Sequence, residues 1–154
     1  MSLDGIIHLE VLDHPFTGEE FGDFVEGVLD RMNQWPRPNS VLVTDNASIH
    51  KVPGIREMVE ERCVTVIYVV FYADSEVYPS GIRLVYLPSY SPDLNPIEEA
   101  FSAIKTWLRS NRDYVHGEME GPGCDPYKLI WSAVYGVVTP EKAYGWYRHS
   151  EYLA

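Results

Sequence analysis

Positive charge is scarce in this chain. It has 12 Lys and Arg against 23 Asp and Glu, a formal net charge of −11. A protein that holds nucleic acid unaided normally presents a broad basic face, and this deficit excludes one. Cysteine is scarcer still. Cys63 and Cys124 are too few for a disulfide framework and show no metal-ligand spacing. Long apolar runs are missing too: the longest, residues 64–73, includes Thr65 and is too short to cross a bilayer as a helix. The opening Met1-Ser2-Leu3-Asp4 has no basic stretch followed by an apolar one, so no signal peptide is read there. These absences predict a soluble, intracellular chain with no membrane partner. What is present is globular. Apolar residues make up 45% and charged residues 23% of 154 positions, a balance that favours one domain with a real core over disorder. No internal repeat is visible.

The apolar pattern alternates between two periods. Residues 5–12, GIIHLEVL, are β-branched and partly alternating, which predicts a strand. Thr17-Gly18-Glu19-Glu20 opens a helix whose Phe21, Phe24, Val25, Val28, Leu29 and Met32 share one face. Pro36-Arg37-Pro38-Asn39 stops it. Residues 40–44, SVLVT, run unbroken into Asp45-Asn46, as buried parallel strands do. Residues 53–62 suit a short helix with Ile55, Met58 and Val59 on one side. Two apolar segments follow, 63–72 and 82–87, separated by turn residues. After a loop at 89–96, residues 97–110 form an amphipathic helix with Ile97, Ala100, Phe101, Ile104, Trp107 and Leu108 as its buried stripe. Residues 116–126 read as an exposed loop. A last helix over 127–138 precedes an aromatic tail of Tyr144, Trp146, Tyr147 and Tyr152. Strands alternating with helices predict an α/β layer fold with mostly parallel strands.

Two carboxylates stand out. Asp45 follows an apolar strand, and the carboxyl edge of an open α/β sheet is where ligands and metals collect. Its oxygens suit a hard cation such as Mg²⁺. The plainer reading is that Asp45-Asn46 is an Asx turn. Glu98 has the spacing of a capping box, with Asn95 as N-cap, Pro96 at the first helical position and Glu98 at the third. The capping role and a ligand role are compatible, because the positive helix end keeps the carboxylate ionised. Two such carboxylates repel unless a cation lies between them, and metal ions so held can activate water and stabilise the leaving oxygen of a phosphodiester. His50 has two readings, a general base or phosphate contact and a structural loop histidine. Glu99 is expected to point off the other side of the helix into solvent, and Glu57, Glu60 and Glu61 to form a solvated helix face.

VLVTDNASIHK, residues 41–51, and LVYLPSYSPDLNPIEEAFSAIK, residues 84–105, closely resemble the two C-terminal signature blocks of DDE-type transposases. The branch is the mariner-like one, with its bacterial insertion-sequence relatives. The resemblance extends to GIIHLEV near the start and TPEKAYGWYRH near the end. It implies a ribonuclease-H-like α/β fold and a three-carboxylate site using two divalent ions, Mg²⁺ or Mn²⁺, to cut DNA and join the ends elsewhere. Residue by residue, Asp45 matches the second carboxylate and Glu98 the third. His50 matches a frequent accessory histidine, and Tyr90, Ser91, Pro92 and Asn95 match the loop that positions the third carboxylate. Asn46, beside Asp45, is a further accessory position. The implied partner is DNA at transposon ends and the implied workplace is the nucleus, although no basic localisation cluster is present.

The sequence departs from that pattern in two ways. The family's first Asp lies on a strand well upstream of the GIIHLEV-like one, and here only Met1-Ser2-Leu3-Asp4 precedes it. The expectation is therefore a truncated domain over residues 1–154 that lacks the first strands, with little or no cleavage by the chain alone. Strand 40–45 would expose an edge and promote self-association. The second departure is the interval from Asp45 to Glu98, longer than the family's by about the length of segment 63–80. Segment 63–80 reads either as an intron translated in frame or as a genuine inserted hairpin, with residues 64–72 pairing with 82–87. Its β-rich uncharged run is an aggregation hazard. A second function class also fits: a non-catalytic remnant acting as a protein-interaction module through Tyr144, Trp146 and Tyr147.

Overall fold

The computed structural model describes residues 1–51, 53–61, 65–68, 83–120 and 123–153. Two compact units make up the chain, His14–Ser91 and Met1–Asp13 together with Pro92–Ala154.

The unit His14–Ser91 starts with α1 (Gly18–Leu29). Its start is fixed by a capping box: the Thr17 hydroxyl accepts from the Glu20 amide at 3.3 Å, and Glu20 Oε2 accepts from the Thr17 amide at 2.8 Å. The bond from the Thr17 amide, with one from the Thr17 hydroxyl to the same Oε2 at 2.8 Å, holds the Glu20 carboxyl below its ordinary range. Phe16, just before the cap, meets Phe21 edge-on at 6.2 Å, the hydrophobic staple that sets the angle of chain entry. The helix ends at Leu29, short of Met32, because Arg31 and Met32 amides turn tightly onto Val28 and Leu29 carbonyls. Then come β1 (Val41–Thr44), α2 (Ile55–Glu61), β2 (Thr65–Tyr68) and β3 (Arg83–Tyr86). All pairing is parallel, in the order β1-β3-β2, with Thr44 and Tyr68 both level with Tyr86. Val25 and Leu29 of α1, Ile55 and Val59 of α2 and Leu84 of β3 form the core.

Of the two readings of segment 63–80, the hairpin pairing with 82–87 does not form. Residues 65–68 pair with β3 in parallel, and a parallel pair cannot be joined by a tight turn. The rest of 63–80, residues 63–64 and 69–80, lies outside the described residues. β1 stands at the edge of the sheet, since among the described residues β3 is the one strand paired with it, but of residues 40–45 only Val41 is exposed, Ser40 being buried and the others half-buried.

The second unit holds α3 (Pro96–Ser110), α4 (Arg112–Glu120), α5 (Pro126–Val137) and α6 (Pro140–His149). Proline stands in the first turn of α3, α5 and α6, where its missing N–H costs nothing. Ala100 of α3, Val134 of α5 and Val138 are its buried centre. Residues 5–12 are not a strand. The segment makes an isolated antiparallel bridge, Ser2 with Gly5, and then packs Ile6 and Leu9 onto that helical centre. β-propensity is realised only where a neighbouring strand offers a ladder, and helices offer an apolar face instead. Gly5 permits the approach: its φ is +105°, and a Cβ there would lie 3.3 Å from the Val138 carbonyl.

Two helical expectations are also corrected. His116 to Glu120 belong to α4, not to a loop. Helix-compatible side chains flank Gly117, and nothing crowds that glycine. On α3 only Ala100 of the expected stripe is buried. Ile97 and Phe101 are exposed, Phe101 by 50%, because the packed face is centred on Ala100 and Ile104.

Candidate active site

Asp45 follows β1 directly, at the carboxyl edge of the parallel sheet, and is half-buried. Its Oδ1 accepts from the Ala47 amide at 2.8 Å, so the Asx turn is real. One carboxylate oxygen is thereby committed to shaping the loop. Asn46 clamps the same edge: its side-chain amide donates to the Leu87 carbonyl, while the Leu87 amide donates to the Thr44 carbonyl at 2.8 Å. These bonds tie the end of β1 to the end of β3 and hold Asp45 in place. His50 lies in the 3₁₀ turn Ser48–Lys51, and its side chain is outside the described residues.

Glu98 stands in the first turn of α3 and is exposed. The expected capping box is absent. Asn95 is the N-cap in backbone conformation, but its side chain makes no capping bond, and its amide donates to the Pro92 carbonyl at 2.9 Å. With that donor satisfied by the 3₁₀ turn Pro92–Leu94, nothing draws the Glu98 carboxylate back. Among the described residues Glu98 makes no side-chain hydrogen bond or ion pair. Both its oxygens are available at the positive end of a 15-residue helix.

Glu99 is not merely solvated. It bonds Nδ1 of His149 on α6 at 2.7 Å, and the bond and its charge raise the His149 pKa above the ordinary 6.5. Glu99 also borders an open groove of about 480 Å³ lined in part by Ser102, Thr106, Trp107 and Lys142. No local signal in the sequence links Glu99 to a histidine fifty positions later.

The donor chemistry of Asp45 and Glu98, hard carboxylate oxygens, fits a divalent cation such as Mg²⁺ or Mn²⁺. The number does not fit a pair of ions: among the described residues no three His, Cys, Asp or Glu side chains gather as a metal cluster. Asp45 belongs to the unit His14–Ser91 and Glu98 to the other.

A family model described as DDE superfamily endonuclease matches residues 1–118. The chain belongs to the DDE superfamily endonucleases. The match covers Asp45 and Glu98 and ends within α4, so α5 and α6 lie outside it. No curated protein and no solved structure is significantly similar to the chain. The helix-rich α/β architecture with its small parallel sheet agrees with a DDE or ribonuclease-H-like fold. DDE superfamily endonucleases generally bind DNA and use divalent metals, so the reading as a nuclease domain is favoured over a non-catalytic interaction module. No helix among the described residues is long and apolar enough to cross a membrane.

Proposed function

We propose that this DDE endonuclease domain serves a mariner-like transposase, in metal-dependent cleavage of transposon-end DNA and transfer of its strands. The observation that carries the reading is the state of Glu98: it stands at a helix N-terminus with both oxygens free, where a capping box would have engaged it. Asp45 and Glu98 would hold Mg²⁺ or Mn²⁺, and a bound ion supplies a Lewis acid and an activated water at the phosphodiester. Asn46 acts as a positioning residue by fixing the strand end beneath Asp45. Asn95 positions Glu98 by starting α3 where it does. His50, just beyond Asp45, is an accessory group for phosphate or proton handling.

Two carboxylates are fewer than the family signature uses, so the purified chain is expected to nick DNA weakly or not at all. The charge of −11 leaves the chain only weak DNA affinity of its own, which metal neutralising Asp45 and Glu98 would raise. The test is Mn²⁺ binding by calorimetry or electron spin resonance. Wild type should bind, with Asp45→Ala and Glu98→Gln each weakening binding. Unchanged binding in both variants would sink the assignment. The nucleus is the proposed workplace.

Residues 63–80 remain, on this reading, an addition to the family core, either inserted or translated from a retained intron. Support comes from sheet order: β2 lies outside β3, so removing it leaves the β1–β3 pairing untouched. Sequencing the transcript decides. A message without those codons makes the segment an intron, and one that contains them makes β2 a true added strand.

A further inference from the structure

Tyr90 violates two rules at once. Its φ is +59°, a left-handed conformation that Cβ sterics penalise in a bulky residue. Its ring is also fully exposed, and among the described residues it has no hydrogen bond or ring contact. Among the described residues of its own unit nothing offsets either cost. Such outliers persist where the surroundings over-determine them, and they concentrate at functional sites. Here the surroundings are stiff. Pro88 and Pro92 bracket the turn and restrict φ on both sides of it, and the Ser91 hydroxyl closes onto the Ser89 carbonyl at 3.5 Å. Just upstream, Leu87 is bonded to Thr44 and Asn46, the residues either side of Asp45. The loop therefore springs from the same carboxyl edge as Asp45 and holds one aromatic ring out in solvent with little freedom left to lose.

We propose that Tyr90 is a stacking post for an unstacked nucleobase of the DNA strand handled at the Asp45 edge. The proposal rests on the reading that this edge handles DNA. A base is the occupant that the chemistry favours. Every base has a π-face, so a single ring can stack on it without regard to sequence. Stacking also needs no positive charge, and no Lys, Arg, Asp or Glu lies between Leu87 and Pro92. It is a contact that an acidic protein can still offer to a polyanion. A ring fixed in advance loses less entropy on binding than a floppy one.

The experiment titrates a single-stranded DNA oligonucleotide carrying 2-aminopurine with the whole chain, at low ionic strength and in EDTA. Wild type and Tyr90→Phe should quench the probe on binding. Tyr90→Ala and Tyr90→Gly should lose the quench and bind on the order of 10-fold more weakly. Tyr90→Gly separates function from folding, because glycine adopts the left-handed conformation freely. Its Tm should equal or exceed that of wild type while its binding falls. Absence of quenching by wild type, or full quenching by either truncated variant, overturns the proposal. Since the titration is metal-free, its outcome does not depend on whether Asp45 and Glu98 hold an ion. A failed metal assignment therefore shows in the Mn²⁺ titration and leaves the stacking result readable.

Discussion

His149 and Glu99 form a pair whose strength depends on protonation. The bond to Glu99 raises the folded-state pKa of His149 above its ordinary 6.5. The pair therefore contributes stability that is fully present below the unfolded pKa and is lost as pH rises through the folded value. An NMR titration of the imidazole should show the raised pKa in wild type and its return toward the ordinary value in Glu99→Gln. Tyr147 works at the other end of the scale. Its hydroxyl donates to the Met1 carbonyl at 2.9 Å, and burial pushes its pKa up to about 12 from 10.0. The unfolded tyrosine ionises first, so this contribution is complete below pH 10 and disappears as pH rises toward about 12. Tyr147→Phe should cost about 0.5–1.5 kcal/mol near neutral pH, read by denaturant melts. It should also flatten the alkaline limb of stability. In the sheet unit, Leu84 is 1% exposed, and Leu84→Ala should cost about 2–5 kcal/mol by leaving a cavity.

At the scale of elements, legibility followed locality. α1 could be read from sequence because its signals lie within a few residues: Thr17 and Glu20 open it and Val25 and Leu29 mark its buried side, whereas the Phe16 staple shows only in the structure. Thr17→Ala should cost about 1 kcal/mol, measured as a drop in the denaturant midpoint at constant slope. β1 and the start of α3 were equally plain. Features that depend on distant partners were not. Residues 5–12 have a strand's composition but pack on helices, which periodicity alone cannot distinguish. Glu98 and Glu99 showed the same limit in the site. Their spacing implied one capping glutamate and one solvated one. In the structure a carbonyl at Pro92 removes the first role and a histidine on α6 removes the second. Asp45 was legible as a strand-end turn and stayed one. Tyr90 was legible as a motif position, whereas its left-handed backbone and bare ring were not.

For the whole molecule, the edge strand β1 is where association between copies is expected. Val41 is 38% exposed on a strand paired, among the described residues, on one side. Such an edge is a template for another chain. Sedimentation should show mass rising with concentration in wild type, and Val41→Lys should reduce that rise with unchanged circular dichroism. A mass independent of concentration in wild type would remove the edge as a cause of association.

The division of the chain has a consequence for its synthesis. The unit of four helices is assembled from Met1–Asp13 and Pro92–Ala154, while His14–Ser91 is made in between. On the ribosome Ile6 and Leu9 emerge long before their packing partners and have no binding face until α3 and α5 are translated. The sheet unit can complete first, during elongation. The helical unit must wait for residues 92–138, with residues 1–13 exposed to chaperones until then. The vulnerable interval for this domain therefore closes only once α3 and α5 are made, and slowing the ribosome after residue 91 should lengthen it.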